Sequence, residues 1–229
     1  MTALAVFASG AGSTLRALLD SETSSSPWRV ALVVSDREGA GALEHARSAD
    51  RETRVIPVSG RPQEEVAGET VELLRSRGIG LVALAGYLRL LPAAMVAAFP
   101  GRILNVHPAL LPAFGGQGMY GAHVHRAVLA SGARLSGTTV HLVDEEYDRG
   151  VILAQWPVPV LTGDSPESLA ARVQEVERAL YPLVLDHAAR HLARGMSPPP
   201  MVAAGPHFTL PPGGVERLPE QLRASLEIQ

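Results

Sequence analysis

The chain has 229 residues, 46% of them hydrophobic, with 20 basic and 23 acidic side chains and a formal charge of −3. That length and apolar content fit one sizeable core, and the charge balance offers no general footprint for nucleic acid or an anionic membrane. Cysteine and lysine are both missing, which removes disulfides, zinc–thiolate sites, cysteine nucleophiles, Schiff-base lysines and the lysine of a P-loop.

The N-terminus, Met1-Thr2-Ala3-Leu4-Ala5-Val6-Phe7, lacks a positive leader region and runs into a glycine turn, so it reads as a first strand. Short β-branched runs at 3–8, 30–35, 54–58, 81–85 and 102–106 alternate with helical patterns at 15–20, 40–50, 63–77 and 92–98. This alternation predicts a Rossmann-like, mostly parallel α/β sheet with helices on both faces. The second half changes style. Runs at 136–143 and 151–160 are joined by an acidic loop, which predicts an antiparallel C-terminal edge. A long helix is expected over 166–194, capped by Asp164-Ser165 with Glu167 following, with Pro182 starting a new turn or kinking it. One domain over 1–195 is expected, followed by a proline- and glycine-rich tail over 196–229. No apolar run reaches the roughly 18–20 residues of a membrane helix, and a soluble cytoplasmic protein is expected.

Four places carry candidate chemistry. Ser9-Gly10-Ala11-Gly12-Ser13-Thr14 follows the first strand and opens a helix, where backbone N–H groups and two hydroxyls can cradle a phosphate. A phosphate ester, a dinucleotide and a plain tight turn all fit this loop. The dinucleotide pattern wants a small residue where Leu15 stands, although Asp36 suits a ribose-binding acid. Asn105 is the only asparagine in the chain, and lies two residues before His107 at a strand end. Alternation puts both side chains on one face, an amide donor beside an imidazole, suited to a reaction that develops charge on a carbonyl oxygen. In the acidic loop Asp144-Glu145-Glu146-Tyr147-Asp148, any of four carboxylates could approach His107 and raise its pKa; a solvated turn is the plainer reading. His123 and His125 could suggest a metal pair, but the segment reads as helix and no third ligand stands at a motif spacing, so packing or surface roles are expected and no metal.

Together, Ser9 to Leu15, Leu84-Ala85-Gly86-Tyr87-Leu88-Arg89-Leu90-Leu91, Asn105-Val106-His107-Pro108 with Ala109 to Pro112, Gly137-Thr138-Thr139-Val140-His141, and Asp148-Arg149-Gly150 resemble the folate-dependent formyltransferases over roughly residues 2–195. The glycine loop and Glu177-Arg178-Ala179-Leu180-Tyr181-Pro182 are most similar to the purine-biosynthetic branch. The resemblance implies formyl transfer from 10-formyltetrahydrofolate, as co-substrate, to the amine of glycinamide ribonucleotide. It implies no metal, no nucleic-acid or membrane partner, and a monomer or homodimer. By resemblance, Asn105, His107 and Asp148 are catalytic, and Gly12, Ser13 and Thr14 hold the ribose phosphate. Gln174, Glu177 and Pro108 face the glycinamide or ribose, while Leu88, Arg89, Leu90, Leu91, Asn105, Val143, Asp144 and Asp148 line the folate pocket. Arg61 is a candidate for the folate tail. The chain departs from the family pattern at Thr14, where asparagine is common, and at residues 115–121, a longer glycine-rich link that suggests a flap. Relatives acting on water (formyltetrahydrofolate hydrolases) or on initiator tRNA (methionyl-tRNA formyltransferases) share the Asn-x-His-Pro core. A non-enzymatic nucleotide-binding module would use the glycine loop alone.

Overall fold

The computed structural model describes residues 1–201. Seven strands form one sheet: β1 (Thr2–Phe7), β2 (Trp28–Ser35), β3 (Glu52–Val55), β4 (Ile79–Leu84), β5 (Ile103–His107), β6 (Leu135–Leu142) and β7 (Ile152–Pro159). Their order is β3-β2-β1-β4-β5-β6-β7. The first five pair in parallel; β5 with β6 and β6 with β7 pair antiparallel. The helices are α1 (Ser13–Ser21), α2 (Gly41–Ser48), α3 (Gln63–Ser76), α4 (Ala93–Ala98), α5 (Ala122–Ala130) and α6 (Pro166–Ala193).

Alternation along the strands builds a core on each face. Leu4 and Val6 of β1 join the cluster under α1, α2, α5 and α6, whereas Ala5 and Phe7 join the cluster under α3 and α4. Burial on both faces explains why the parallel strands read as continuous apolar runs.

One strand boundary needs correction. β3 lies earlier than 54–58: the Ile56 N–H still reaches the Ser35 carbonyl at 2.8 Å, but Pro57 has no N–H to continue the ladder. α6 is capped as expected at Ser165, which reciprocates with Ser168, while Asp164 binds Arg172 through both carboxylate oxygens at 2.8 and 2.9 Å. α6 runs as one helix with Pro182 inside it, which removes one backbone bond there while the buried face stays packed. The expected tail begins within the described residues. The His187 Nε2–H donates to the Pro199 carbonyl at 2.9 Å and the Met201 N–H to the Leu153 carbonyl at 2.7 Å. Its remainder, from 202 on, lies outside the described residues.

Candidate active site

The C-terminal ends of β1, β4 and β5, where an open α/β sheet presents its ligands, border a cleft of about 700 Å³. On its first side, Gly12 sits at φ 83°, and a Cβ there would come within 2.5 Å of Ala42 Cα in α2. Glycine is therefore required both by the backbone turn and by close helix packing. α1 then starts with no side-chain cap and no acid in its first turn. Its first backbone N–H groups, with the Ser13 and Thr14 hydroxyls, border the cleft and suit an anion. Leu15, at the position where a dinucleotide site wants a small residue, is fully buried. Asp36 is engaged by Arg37 and Arg89 (3.0 Å each), so the ribose-binding role is already displaced by internal ion pairs.

The second side is built by β5 and β6. Asn105 faces His141 directly across the antiparallel ladder, and His107 faces Thr139. The Nδ1 of His141 lies 2.9 Å from the Leu142 carbonyl. A carbonyl only accepts, so Nδ1 carries the proton, and in the neutral ring Nε2 accepts from the Asn105 amide at 3.1 Å. By the same reasoning the His107 Nε2–H donates to the Phe114 carbonyl at 2.9 Å. Asp148 reaches between the two rings. Its oxygens lie 3.5 Å from His107 Nδ1 and 3.5 Å from His141 Nε2, and one accepts the Gly116 N–H at 2.9 Å. Asp148 holds φ 57°, a left-handed conformation unusual for a residue with a side chain. Gly150 closes the turn, because a Cβ there would collide with the Leu142 carbonyl.

Electrostatics separate the two acid–base groups. Burial pushes the Asp148 carboxyl up, but the adjacent His141 and His107 rings and the Gly116 N–H outweigh it and hold the pKa below the usual value. For His107 the balance runs the other way. Burial lowers its pKa more than Asp148 and the Phe114 carbonyl raise it. The sequence argument for a raised His107 pKa is thus corrected: desolvation exceeds the carboxylate's effect.

Asn105, His107, Asp148, Gly12, Ser13, Thr14, Pro108, Val143, Leu88, Arg89, Leu90, Leu91, Gln174 and Glu177 all line the cleft. Asp144 does not; its carboxylate turns back to accept the Glu146 N–H at 3.0 Å, leaving Glu146, Tyr147 and Asp148 as the loop's lining residues. Arg61 is also away from the cleft, paired with Glu65 and Glu69 at 2.6 Å each on the α3 surface; Arg89 is the guanidinium at the site. Glu177, which could have been a solvated helix residue, is only 7% exposed. Burial pushes its pKa up to about 8, against a smaller lowering by Arg178. One turn on, the buried Tyr181 hydroxyl donates to the Leu104 and Leu84 carbonyls (2.9 and 3.2 Å), fixing this part of α6 over β4 and β5.

Residues 116–121 line the cleft. His125 of α5 does so too: it is 3% exposed, and its Nδ1 has no partner among the described residues. His123 instead is exposed beside Tyr120. Among the described residues no group of side chains could hold a metal ion, and no helix is long and apolar enough to cross a membrane. Sequence reasoning assigned no role to His141. The available signal was alternation in β6, which puts Thr139 and His141 on the Asn105 face once the two strands are paired.

A family model described as formyl transferase matches residues 2–185. The chloroplastic phosphoribosylglycinamide formyltransferase of Arabidopsis thaliana is 50% identical over 181 residues, covering 78% of this chain and 62% of the relative. The Escherichia coli (strain K12) phosphoribosylglycinamide formyltransferase is 38% identical over 184 residues, covering 80% and 84%. The chain thus spans about three fifths of the length of the chloroplastic relative. Among solved structures, glycinamide ribonucleotide transformylase 1 from Symbiobacterium toebii superposes with a TM-score of 0.78 at 40% identity, covering 83% of this chain and 88% of that one. Phosphoribosylglycinamide formyltransferase from Brucella melitensis gives 0.76 at 40% identity, covering 82% and 95%. With the family model spanning residues 2–185 and the Escherichia coli relative covered over 84% of its length at 38% identity, the chain belongs to the formyl transferase family, in its phosphoribosylglycinamide formyltransferase branch.

Proposed function

We propose that the protein transfers a formyl group from 10-formyltetrahydrofolate to the primary amine of glycinamide ribonucleotide, a step of de novo purine biosynthesis. The observation that carries this reading is convergence. An uncapped helix N-terminus suited to a phosphate and an Asn105–His107–Asp148–His141 cluster suited to acyl transfer open into one cleft.

In this reading the ribose phosphate sits on Gly12, Ser13 and Thr14, and Gln174, Glu177 and Pro108 face the glycinamide ribose. Glu177, largely protonated at neutral pH, donates a hydrogen bond rather than presenting a charge. The formyl donor lies along Leu88, Leu90, Leu91 and Val143, with Arg89 toward its anionic tail. The substrate amine is the nucleophile, so no covalent enzyme intermediate is needed. Its nitrogen attacks the formyl carbon, and the carbonyl oxygen becomes an anion. One Asn105 N–H is donated to His141, which leaves the second for the oxyanion; such a donor is worth roughly 3–4 kcal/mol. His107 already donates Nε2–H to Phe114; burial favours its neutral ring, and the protonated fraction, paired with Asp148, acts on the oxyanion through its charge. Collapse of the tetrahedral carbon breaks the bond to the folate nitrogen. Asp148, through water, relays the proton from the attacking nitrogen to that leaving nitrogen. Holding two substrates in one cleft supplies much of the remaining acceleration. The reading carries with it a cytoplasmic enzyme, monomeric or homodimeric, acting on small molecules without a metal.

Incubation with formyl-folate and, separately, glycinamide ribonucleotide, water or initiator tRNA tests the reading. Formylated glycinamide ribonucleotide is the expected product. Release of formate alone, or formylation of the tRNA alone, would replace it with the hydrolase or tRNA reading. Ligand binding without any turnover would favour a nucleotide-binding module.

A further inference from the structure

Asp36 is spent on a bond network that none of the roles above explains. It follows β2, its side chain is 1% exposed, and its carboxylate accepts from Arg37 Nε at 3.2 Å, Arg37 Nη2 at 3.0 Å and Arg89 Nε at 3.0 Å. The Ser9 hydroxyl donates to it as well. Ser9 in turn accepts the Leu88 N–H at 3.2 Å and gives its own N–H to the Gly86 carbonyl at 3.1 Å. Three adjacent strands, β2, β1 and β4, thus have their C-terminal loops joined at one buried carboxylate. Burial raises the Asp36 pKa, but the Arg37, Ser9 and Arg89 hydrogen bonds bring it down to about 2, so it stays ionised through the working range. Arg89 is bound only through Nε. Its terminal guanidinium nitrogens have no partner among the described residues, and the side chain borders the cleft.

We propose that Asp36 is a positioning residue for the formyl-folate half of the site, clamping Arg89 and, through Ser9, the 88–91 segment against the glycine loop. The proposal rests on the functional reading above. A guanidinium held at Nε by an anchored carboxylate keeps its outer edge in one orientation, and the ordering is complete before an anionic ligand arrives. An exposed ion pair would do little of this; a buried carboxylate cannot be neutralised without releasing both arginines.

Asp36→Asn keeps the volume and removes the charge. The expected result is a rise of about tenfold in KM for the formyl donor, with kcat and the KM for glycinamide ribonucleotide within about twofold of the parent. Arg89→Ala should show the same split. The decisive measurement is the double-mutant cycle: in an Arg89→Ala background, Asp36→Asn should add little. Equal losses for both substrates, or a full Asp36→Asn effect without Arg89, would assign Asp36 to general stability and overturn the proposal. If Asp36→Asn fails to fold, Arg89→Ala alone decides, since an unchanged donor KM removes the clamp's purpose. Binding of NAD to the parent that Asp36→Asn abolishes would also overturn it, in favour of a ribose-binding acid. Parent turnover of the two proposed substrates checks the functional reading separately.

Discussion

The two sides of the cleft are built on opposite principles. On the glycine-loop side, the parallel strands end in backbone: α1 starts uncapped, and the polar groups offered to a ligand are N–H donors and two small hydroxyls. On the β5–β6 side, the antiparallel pair buries His107 and His141 beside the half-buried Asn105 and the loop residue Asp148, and each bonds another member or a nearby backbone group. One side waits for charge from a ligand; the other is internally satisfied before a ligand comes. In the proposed reaction this separates affinity from chemistry. Substitutions on the first side should act on KM, and those on the second on turnover.

The largest effect should come from Asn105→Ala. It removes the oxyanion donor and the amide that donates to His141 Nε2. Turnover should fall about 10²–10³-fold with donor binding much less changed; steady-state kinetics within a few-fold of the parent would sink the division of labour. Asp148→Asn should follow, at about a hundredfold, with a pH signature. Burial already lowers the His107 pKa, and Asp148 is the largest influence opposing it. Removing that charge lowers the pKa further, so the alkaline limb of kcat/KM should move to lower pH. A limb that stays in place at reduced height would leave Asp148 only a relay or positioning role.

Ser13→Ala and Thr14→Ala probe the other side. Each removes one hydroxyl available to a charged phosphate and should raise the KM for glycinamide ribonucleotide about five- to tenfold, sparing the formyl donor. Isothermal calorimetry on each ligand distinguishes this from a shared loss. Gly12→Val is a poorer probe than its sequence position suggests. The added Cβ strikes Ala42 and forces α1 from α2, so both ligands would suffer for reasons of packing.

The same contrast explains what the sequence could disclose. The parallel half was legible almost element by element, because strands buried on both faces and helices with apolar stripes write their period into the chain. Its edges moved by one to three residues, the most at β3, where Pro57 ends the ladder. Asn105 and His107 were legible as a pair because alternation along one strand is local. His141 and Glu177 were not assigned in the same way. The first depends on which residue stands opposite Asn105 in another strand, and the second on which face of a 28-residue helix meets the sheet. Pairing register and helix rotation are long-range facts. The choice among the four loop acids was also non-local, and came by resemblance: only Asp148, at a left-handed backbone position, turns its carboxylate toward His107.

Glu177 gives the smallest expected effect on turnover and the cleanest effect on stability. Its carboxyl is raised from 4.5 to about 8 by burial, with Arg178 pulling weakly the other way. Between those values the unfolded chain has released this proton while the folded chain still holds it. Stability therefore falls as pH rises through the window, and levels off above about 8. The slope is at most one proton, about 1.4 kcal/mol per pH unit. His107, His125 and His187 have lowered pKa values, which makes the folded protein lose stability as pH falls below 6.5, the opposite sign. The parent's melting curve alone would mix the two trends, so the difference between parent and Glu177→Gln is the useful quantity. The amide is neutral at every pH and keeps a donor facing the cleft. Melting temperatures of the ligand-free proteins should coincide near pH 4, with the variant gaining steadily to about pH 8 and holding its lead above that. The KM for glycinamide ribonucleotide should rise only a few-fold, because a neutral donor replaces a neutral donor. Parallel melting curves across the range would mean that Glu177 is ionised in the folded protein, and the acid would then meet the substrate as a charge.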